Sequence, residues 1–159
     1  MLAEKHQALP VVDIFVGPVF SYRTPISANQ DYCLVDVLIP DGVTVPLHSH
    51  ADRETFYIVD GTLEGMLEGS WRTLEVGDVF DIVGGVRHAL RNTSGRSMSL
   101  LMVTTMKLGQ FFLDVGRAAT ANPTPPTPAD MEHFLEVSQR YGYWMGDAAD
   151  NKAVGISLN

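Results

Sequence analysis

Gly42-Val-Thr-Val-Pro-Leu-His48-Ser-His50-Ala-Asp-Arg-Glu54-Thr-Phe-Tyr-Ile-Val-Asp-Gly61 holds two imidazoles and a carboxylate between strand-like flanks and terminal glycines. Side chains alternate faces along a strand, so His48 and His50 project to the same side. Glu54 shares their even parity but lies beyond Ala51, Asp52 and Arg53, a short polar stretch that bends the chain and returns the carboxylate to the same interior. A second stretch, Gly77-Asp-Val-Phe-Asp-Ile-Val83-Gly84-Gly85-Val-Arg-His88-Ala-Leu-Arg-Asn92, supplies one more histidine at the start of a strand. Its paired glycines accept positive φ and allow a tight turn just before it. Imidazole nitrogens and a carboxylate are good ligands for a divalent first-row metal. The expected ligands are His48, His50, Glu54 and His88, holding one ion per chain. Fe, Ni, Mn, Co and Zn all suit such donors, and the sequence does not choose among them. His6 and His133 fall outside the pattern.

Outward from these segments, strand patterns recur at Val11 to Val19, Tyr32 to Ile39, Val43 to His50, Thr55 to Val59, Thr62 to Glu68, Thr73 to Leu74, Val79 to Val83, His88 to Arg91 and Met98 to Met106. Turn residues separate them, among them Pro40-Asp41-Gly42, Asp60-Gly61, Gly77-Asp78 and Asn92-Thr-Ser-Gly95. The prediction is an all-β fold, rolled into a jelly-roll barrel because so many short antiparallel strands would otherwise leave exposed edges. After Met106 the pattern changes. Leu108 to Val115 reads as a short helical turn, and Asn122-Pro-Thr-Pro-Pro-Thr-Pro128 cannot be regular helix or central strand. A helix restarts beyond it: Thr127 can cap, Pro128 suits the first helical position, Asp130 and Glu132 favour the positive end, and Gly142 ends it. Such a helix packs on the barrel wall or closes its mouth as a lid. The expected organisation is an N-terminal strand and arm over residues 1–30, a barrel core over 31–107, and a helical turn, proline-rich linker and helix over 108–159.

At 159 residues and 45% hydrophobic content the chain suits one domain with a real core. A net charge of −8 disfavours a nucleic-acid partner, whose phosphates require clustered Lys and Arg. Cys33 is the sole cysteine, so no intrachain disulfide forms, and its alternation with Val35, Val37 and Ile39 makes it a small buried hydrophobe. Met1 to Gln7 carries no apolar leader core and no run reaches membrane-spanning length, which points to a cytoplasmic protein.

The two segments resemble the paired motifs of the cupin superfamily: glycine, His-x-His, glutamate and glycine in the first, and glycine, a Pro-x-Gly turn, histidine and asparagine in the second. Every ligand position is present, while Val83 stands where the turn proline usually is. Within that superfamily the chain resembles the small single-domain cupins of the quercetin-dioxygenase-like group, with Phe111-Phe112, the proline-rich stretch and Tyr141-Gly142 as further cues. The resemblance implies a double-stranded β-helix, a metal held by the four residues, and a role for Glu54 in accepting the substrate proton. It also implies a homodimer, paired through sheet faces or through exchange of the Val11 to Phe20 strand.

The cavity wall is expected to share the ligands' parity: Phe56 and Ile58 beyond Glu54, Leu90 and Asn92 beyond His88, and Met98, Leu100 and Met102 on the last strand. An apolar wall favours a small aromatic or enolic substrate over a sugar phosphate or dicarboxylate, which would need Arg or Lys inside. Arg87 and Arg91 have the opposite parity and belong outside; Asp52 and Arg53 are expected in solvent; Trp71 and Tyr57 are expected in packing or subunit contacts. Three functions stay open: a metal-dependent dioxygenase, an isomerase, cyclase or lyase using the ion as a Lewis acid, and a non-catalytic module binding a small molecule.

Overall fold

In the computed structural model, which describes residues 8–27 and 29–158, the chain opens with a hairpin, β1 (Val11–Asp13) and β2 (Val19–Tyr22). The sequence pattern predicts one strand from Val11 to Val19. Gly17-Pro18 breaks it, because proline donates no ladder hydrogen bond. The turn closes through Ile14 N–H to Pro18 O and Gly17 N–H to Ile14 O, at 3.2 and 2.9 Å. β1 and β2 pair with each other and β2 pairs with β3. His6 and the leader reading of Met1 to Gln7 lie outside the described residues.

The barrel strands follow the sequence prediction closely: β3 (Cys33–Ile39), β4 (Thr44–Ser49), β5 (Glu54–Asp60), β6 (Leu63–Leu67), β7 (Ser70–Leu74), β8 (Val79–Ile82), β9 (His88–Arg91) and β10 (Met98–Thr104). Then come α1 (Met106–Val115), β11 (Arg117–Ala118), α2 (Pro128–Tyr141), β12 (Trp144–Met145) and α3 (Ala148–Ala153). They form two antiparallel sheets, ordered β11-β1-β2-β3-β10-β5-β8 and β12-β4-β9-β6-β7. This is a jelly roll: β4 to β5 and β8 to β9 each cross from one sheet to the other, so the two inner faces enclose one core.

Strict alternation builds that core. On β3 the burial pattern gives Cys33, Val35, Val37 and Ile39 inside, and on β10 it gives Met98, Leu100, Met102 and Thr104. Full burial of a side chain such as Ile58 or Leu100 contributes about 1.5–3 kcal/mol.

The C-terminal region is more extensive than the sequence pattern indicates. Thr127 caps α2 in a reciprocal capping box with Asp130, Pro128 opens it, and Gly142 ends it at φ 75°. α1 and α2 share a second cluster around Leu108, Phe111, Val137 and Tyr143. β12 then adds a strand beside β4, and α3 with the following tail covers the outer face of the five-stranded sheet, where Ile156 meets Leu47, Met66 and Ala89. Trp71 is fixed there by an indole N–H bond to Val154 O at 2.8 Å, so its place is packing. Arg87 and Arg91 lie on this outer side as expected, each stacked 4.1 Å over a ring, Trp144 and Trp71 respectively. No helix among the described residues is long and apolar enough to cross a membrane.

Candidate metal centre

The four expected ligands meet at one end of the barrel, where the chain leaves the five-stranded sheet for the seven-stranded one. β4 and β9 are neighbours with His48 opposite His88, their ring centroids 4.1 Å apart. A register shift between Val45 and His48 twists the strand locally. His50 follows the end of β4, the Ala51-Asp52-Arg53 turn crosses over, and Glu54 opens β5. One donor atom from each residue lies within 4.8 Å of all the others.

The second motif locks onto the first. Gly85 N–H donates to His50 O at 2.7 Å, with Gly85 at φ 85°. Gly84 passes so close to Ala51 O that a Cβ at this position would overlap the carbonyl. Val83 stands where the turn proline usually is, and the close approach and positive φ of this turn come from Gly84 and Gly85.

Each histidine is oriented the same way. Nδ1 of His48, His50 and His88 faces a backbone carbonyl two residues away, Pro46 O at 2.7 Å, Asp52 O at 2.9 Å and Val86 O at 2.8 Å. A carbonyl only accepts, so each Nδ1 must donate, and Nε2 of the neutral ring is left as a lone pair aimed at the centre. Glu54 Oε1 sits 3.1 Å from His50 Nε2 and 2.8 Å from His88 Nε2. These lone pairs repel unless a proton or a cation lies among them. The donor set therefore fits a divalent ion, and the cluster can hold a metal.

The titration of these groups follows from the same crowding. Burial, reinforced by the neighbouring His88 charge, pushes His48 down to about 3. Burial also disfavours charge on His50, but the hydrogen bond and charge of Glu54 outweigh it and raise its pKa. For Glu54, burial works upward and is overcome in the metal-free cluster when the facing Nε2 atoms of His50 and His88 carry protons and donate to it, which holds the carboxyl well below the usual range.

Beyond the ligands, Phe56, Ile58, Leu90, Met98, Leu100 and Met102 all face inward and are buried in the main core. Asn92 is fully buried at the opposite end, its Nδ2 donating to Ile39 O and Arg96 O and its Oδ1 accepting from Ser94. Asp52 is a correction: it is buried rather than solvated, because Thr105 Oγ1 and Tyr143 Oη donate to its two oxygens at 2.6 and 2.7 Å. Arg53 is exposed and paired with Asp81. His133 lies away from the centre, bonded to Asp114 O.

Three residues near the centre escape the sequence reading. Thr104 stands opposite Glu54 and continues the inward parity of Met98 to Met102, a signal that was available. Tyr143 lies with its ring 5.2 Å from that of His50, and Met145 pairs with His48. Both come from the short β12 region, too brief to show periodicity. Two cavities, of about 480 and 310 Å³, lie outside the barrel, one between Arg87 and Asp150 and the other between Asp36 and Val59, away from the four ligands.

Residues 35–104 match the family model described as the cupin domain. The matched segment, residues 35–104, is a cupin domain. Solved structures similar to this chain include a predicted oxalate decarboxylase from Thermotoga maritima, at 22% identity and TM-score 0.54 over 66% of this chain and 98% of that one. An RmlC-like cupin from Shewanella frigidimarina aligns at 19% identity and TM-score 0.53 over 66% and 87% of the two chains. A sugar phosphate isomerase of the superfamily from Silicibacter pomeroyi aligns at 13% and 0.52 over 60% and 69%. At these identities the likeness is one of fold. No match was found among curated proteins.

Proposed function

We propose that this chain is a metal-dependent oxidoreductase of dioxygenase type acting on a small apolar, aromatic or enolic substrate. The observation that carries the reading is the convergence of three imidazole Nε2 atoms and one carboxylate, all within 4.8 Å, with every Nδ1 already committed to a carbonyl. His48, His50, Glu54 and His88 would hold one divalent ion. When bound, such an ion supplies a positive charge with open positions for a hydroxyl-bearing substrate and, if redox-active, for dioxygen. Glu54 would take the substrate proton, a role supported by its free oxygen: Oε1 faces His50 and His88, and Oε2 takes part in neither bond.

The interior supports an uncharged substrate. Among the described residues no lysine or arginine is buried, so a phosphate or dicarboxylate has no partner inside. Phe56, Leu90 and Met102 lie one inward step from the ligand row and form an apolar floor, with Ile58, Asn92, Met98 and Leu100 behind them. Anaerobic loading with Fe(II), Ni(II), Mn(II) or Co(II), then oxygen-uptake assays on flavonols, catechols and 1,3-diketones, tests the proposal. Uptake with at least one metal supports it. Turnover with Zn(II) and no oxygen demand would replace it with a Lewis-acid isomerase, cyclase or lyase, and tight ligand binding that survives loss of His48 and His88 would indicate a non-catalytic binding protein.

A homodimer in the cytoplasm completes the proposal. The outer face of the seven-stranded sheet carries exposed Leu38, Tyr57, Val59, Val79 and Val103 on adjacent strands, an apolar surface suited to a second copy of the chain. Light scattering on the protein and on Val59→Glu reads it directly: a dimer that the substitution dissociates is expected, and a monomeric parent protein contradicts it.

A further inference from the structure

Three segments distant in the chain meet on one buried carboxylate. Asp52 Oδ1 accepts from Thr105, the residue that also caps α1, and Asp52 Oδ2 accepts from Tyr143, the first residue after α2 and its Gly142 cap. The backbone oxygen of the same Asp52 accepts from His50 Nδ1. A buried carboxylate satisfied only by two hydroxyls is costly unless positive charge lies near it. Two places for such charge lie on this side of the barrel: the Lys107 ammonium, 5.4 Å from the centre of the Tyr143 ring, and the ligand cluster that includes His50.

The same C-terminal segment also grips β4, the strand that carries His48. Leu47 precedes His48, and both of its backbone groups are taken by this segment: Gly146 N–H donates to Leu47 O at 2.8 Å, and Leu47 N–H donates to Asn151 Oδ1 at 2.9 Å. Asn151 is fully buried, and its Nδ2 donates back to Gly146 O and Asp147 O. β12 pairs Met145 with His48. His48 and His50 are thus both braced from residues 143–151, outside the segment that matches the family model.

We propose that Asp52, Tyr143 and Thr105 are positioning residues of the metal centre: they fix the carbonyl that orients His50, and through them the C-terminal segment becomes part of the centre. The inference rests on the metal reading above. Groups that hold a ligating histidine through its second nitrogen set its orientation, and losing one costs about 10–100-fold in metal affinity. A role confined to packing would instead lower the stability of metal-free and metal-loaded protein alike.

The test is Co(II) affinity measured by competition with a chromophoric chelator, together with the visible spectrum of the Co(II) protein and the rise in Tm on Co(II) addition. Asp52→Ala and Tyr143→Phe are compared with Tyr141→Phe, which removes a phenol bonded to Asp114 at 2.5 Å in the same aromatic layer but unconnected to a ligand. The expected result is affinity about tenfold or more weaker for Asp52→Ala and Tyr143→Phe, with an altered spectrum and a smaller Co(II)-induced rise in Tm, while Tyr141→Phe keeps the parent affinity and spectrum. Should Asp52→Ala not fold, Tyr143→Phe and Thr105→Val, which each remove a single hydroxyl, carry the same comparison. Parent-like affinity and spectrum in the hydroxyl variants would overturn the inference. Failure of the parent protein itself to bind Co(II) would overturn the metal reading and this inference with it.

Discussion

Glu54 and Asn92 are both buried polar residues of inward parity, at opposite ends of the same barrel, yet they are satisfied in opposite ways. At the Asn92 end every polar atom of the side chain meets a protein partner: two carbonyls accept its N–H groups and Ser94 donates twice to its oxygen. At the Glu54 end a carboxylate oxygen and ring nitrogens face one another, each ring already donating elsewhere. The first arrangement is complete without a ligand and closes a turn. The second is completed by a proton or a cation. Burial of a polar group therefore does not mark a site; convergence of acceptors that the protein does not itself satisfy does.

The sharpest break of this comparison is the double substitution His48→Ala, His88→Ala. It is expected to lower Co(II) affinity by more than the roughly 100-fold that loss of an outer partner costs, read by isothermal titration calorimetry, and to leave the circular dichroism of the barrel unchanged. In the filled part of the barrel, Leu100→Ala is expected to destabilise the fold by about 2–5 kcal/mol in urea unfolding, since Leu100 is fully buried in close-packed core. Gly84→Ala lies at the joint between the motifs, where a Cβ overlaps Ala51 O; a loss of about 3 kcal/mol together with weaker Co(II) binding is expected, because the turn and the His50 carbonyl move together. Asn92→Ala leaves Ile39 O and Arg96 O without its donor and is expected to cost about 1–3 kcal/mol with Co(II) affinity unchanged. A change in metal affinity there would erase the distinction between the two ends.

The smallest effect is in pH dependence. Below 6.5 the unfolded chain protonates His48 whereas the fold keeps it neutral down to about 3, and Glu54, held low in the fold, protonates first in the unfolded chain below 4.5. Both make stability fall as pH drops. His50, raised in the fold, acts oppositely: its contribution is complete below 6.5 and is lost as pH rises through its raised value. The Tm of metal-free protein is expected to decline on acidification from pH 6.5, with a shallower decline in His48→Gln.

The barrel and its ligands were legible in sequence because one rule, alternation along strands, governs both. His88 to Arg91 was placed to the residue, and α2 with its Thr127 cap, Pro128 start and Gly142 end followed from local chemistry. What alternation cannot show is where the chain closes on itself. Val11 to Val19 reads as continuous strand until Gly17-Pro18 folds it into a hairpin. β11, β12 and α3 are two, two and six residues long, too short for a period to register. Asp52 looked like a turn residue because the hydroxyls that bury it come from Thr105 and Tyr143, 53 and 91 residues away.

The central claim is that His48, His50, Glu54 and His88 share one cation. Anomalous diffraction at the cobalt edge from crystals grown with Co(II) tests it most directly. One peak per chain is expected, about 2.0–2.2 Å from Nε2 of each histidine and from a Glu54 oxygen. A peak elsewhere, or none at full Co(II) saturation, would contradict the account.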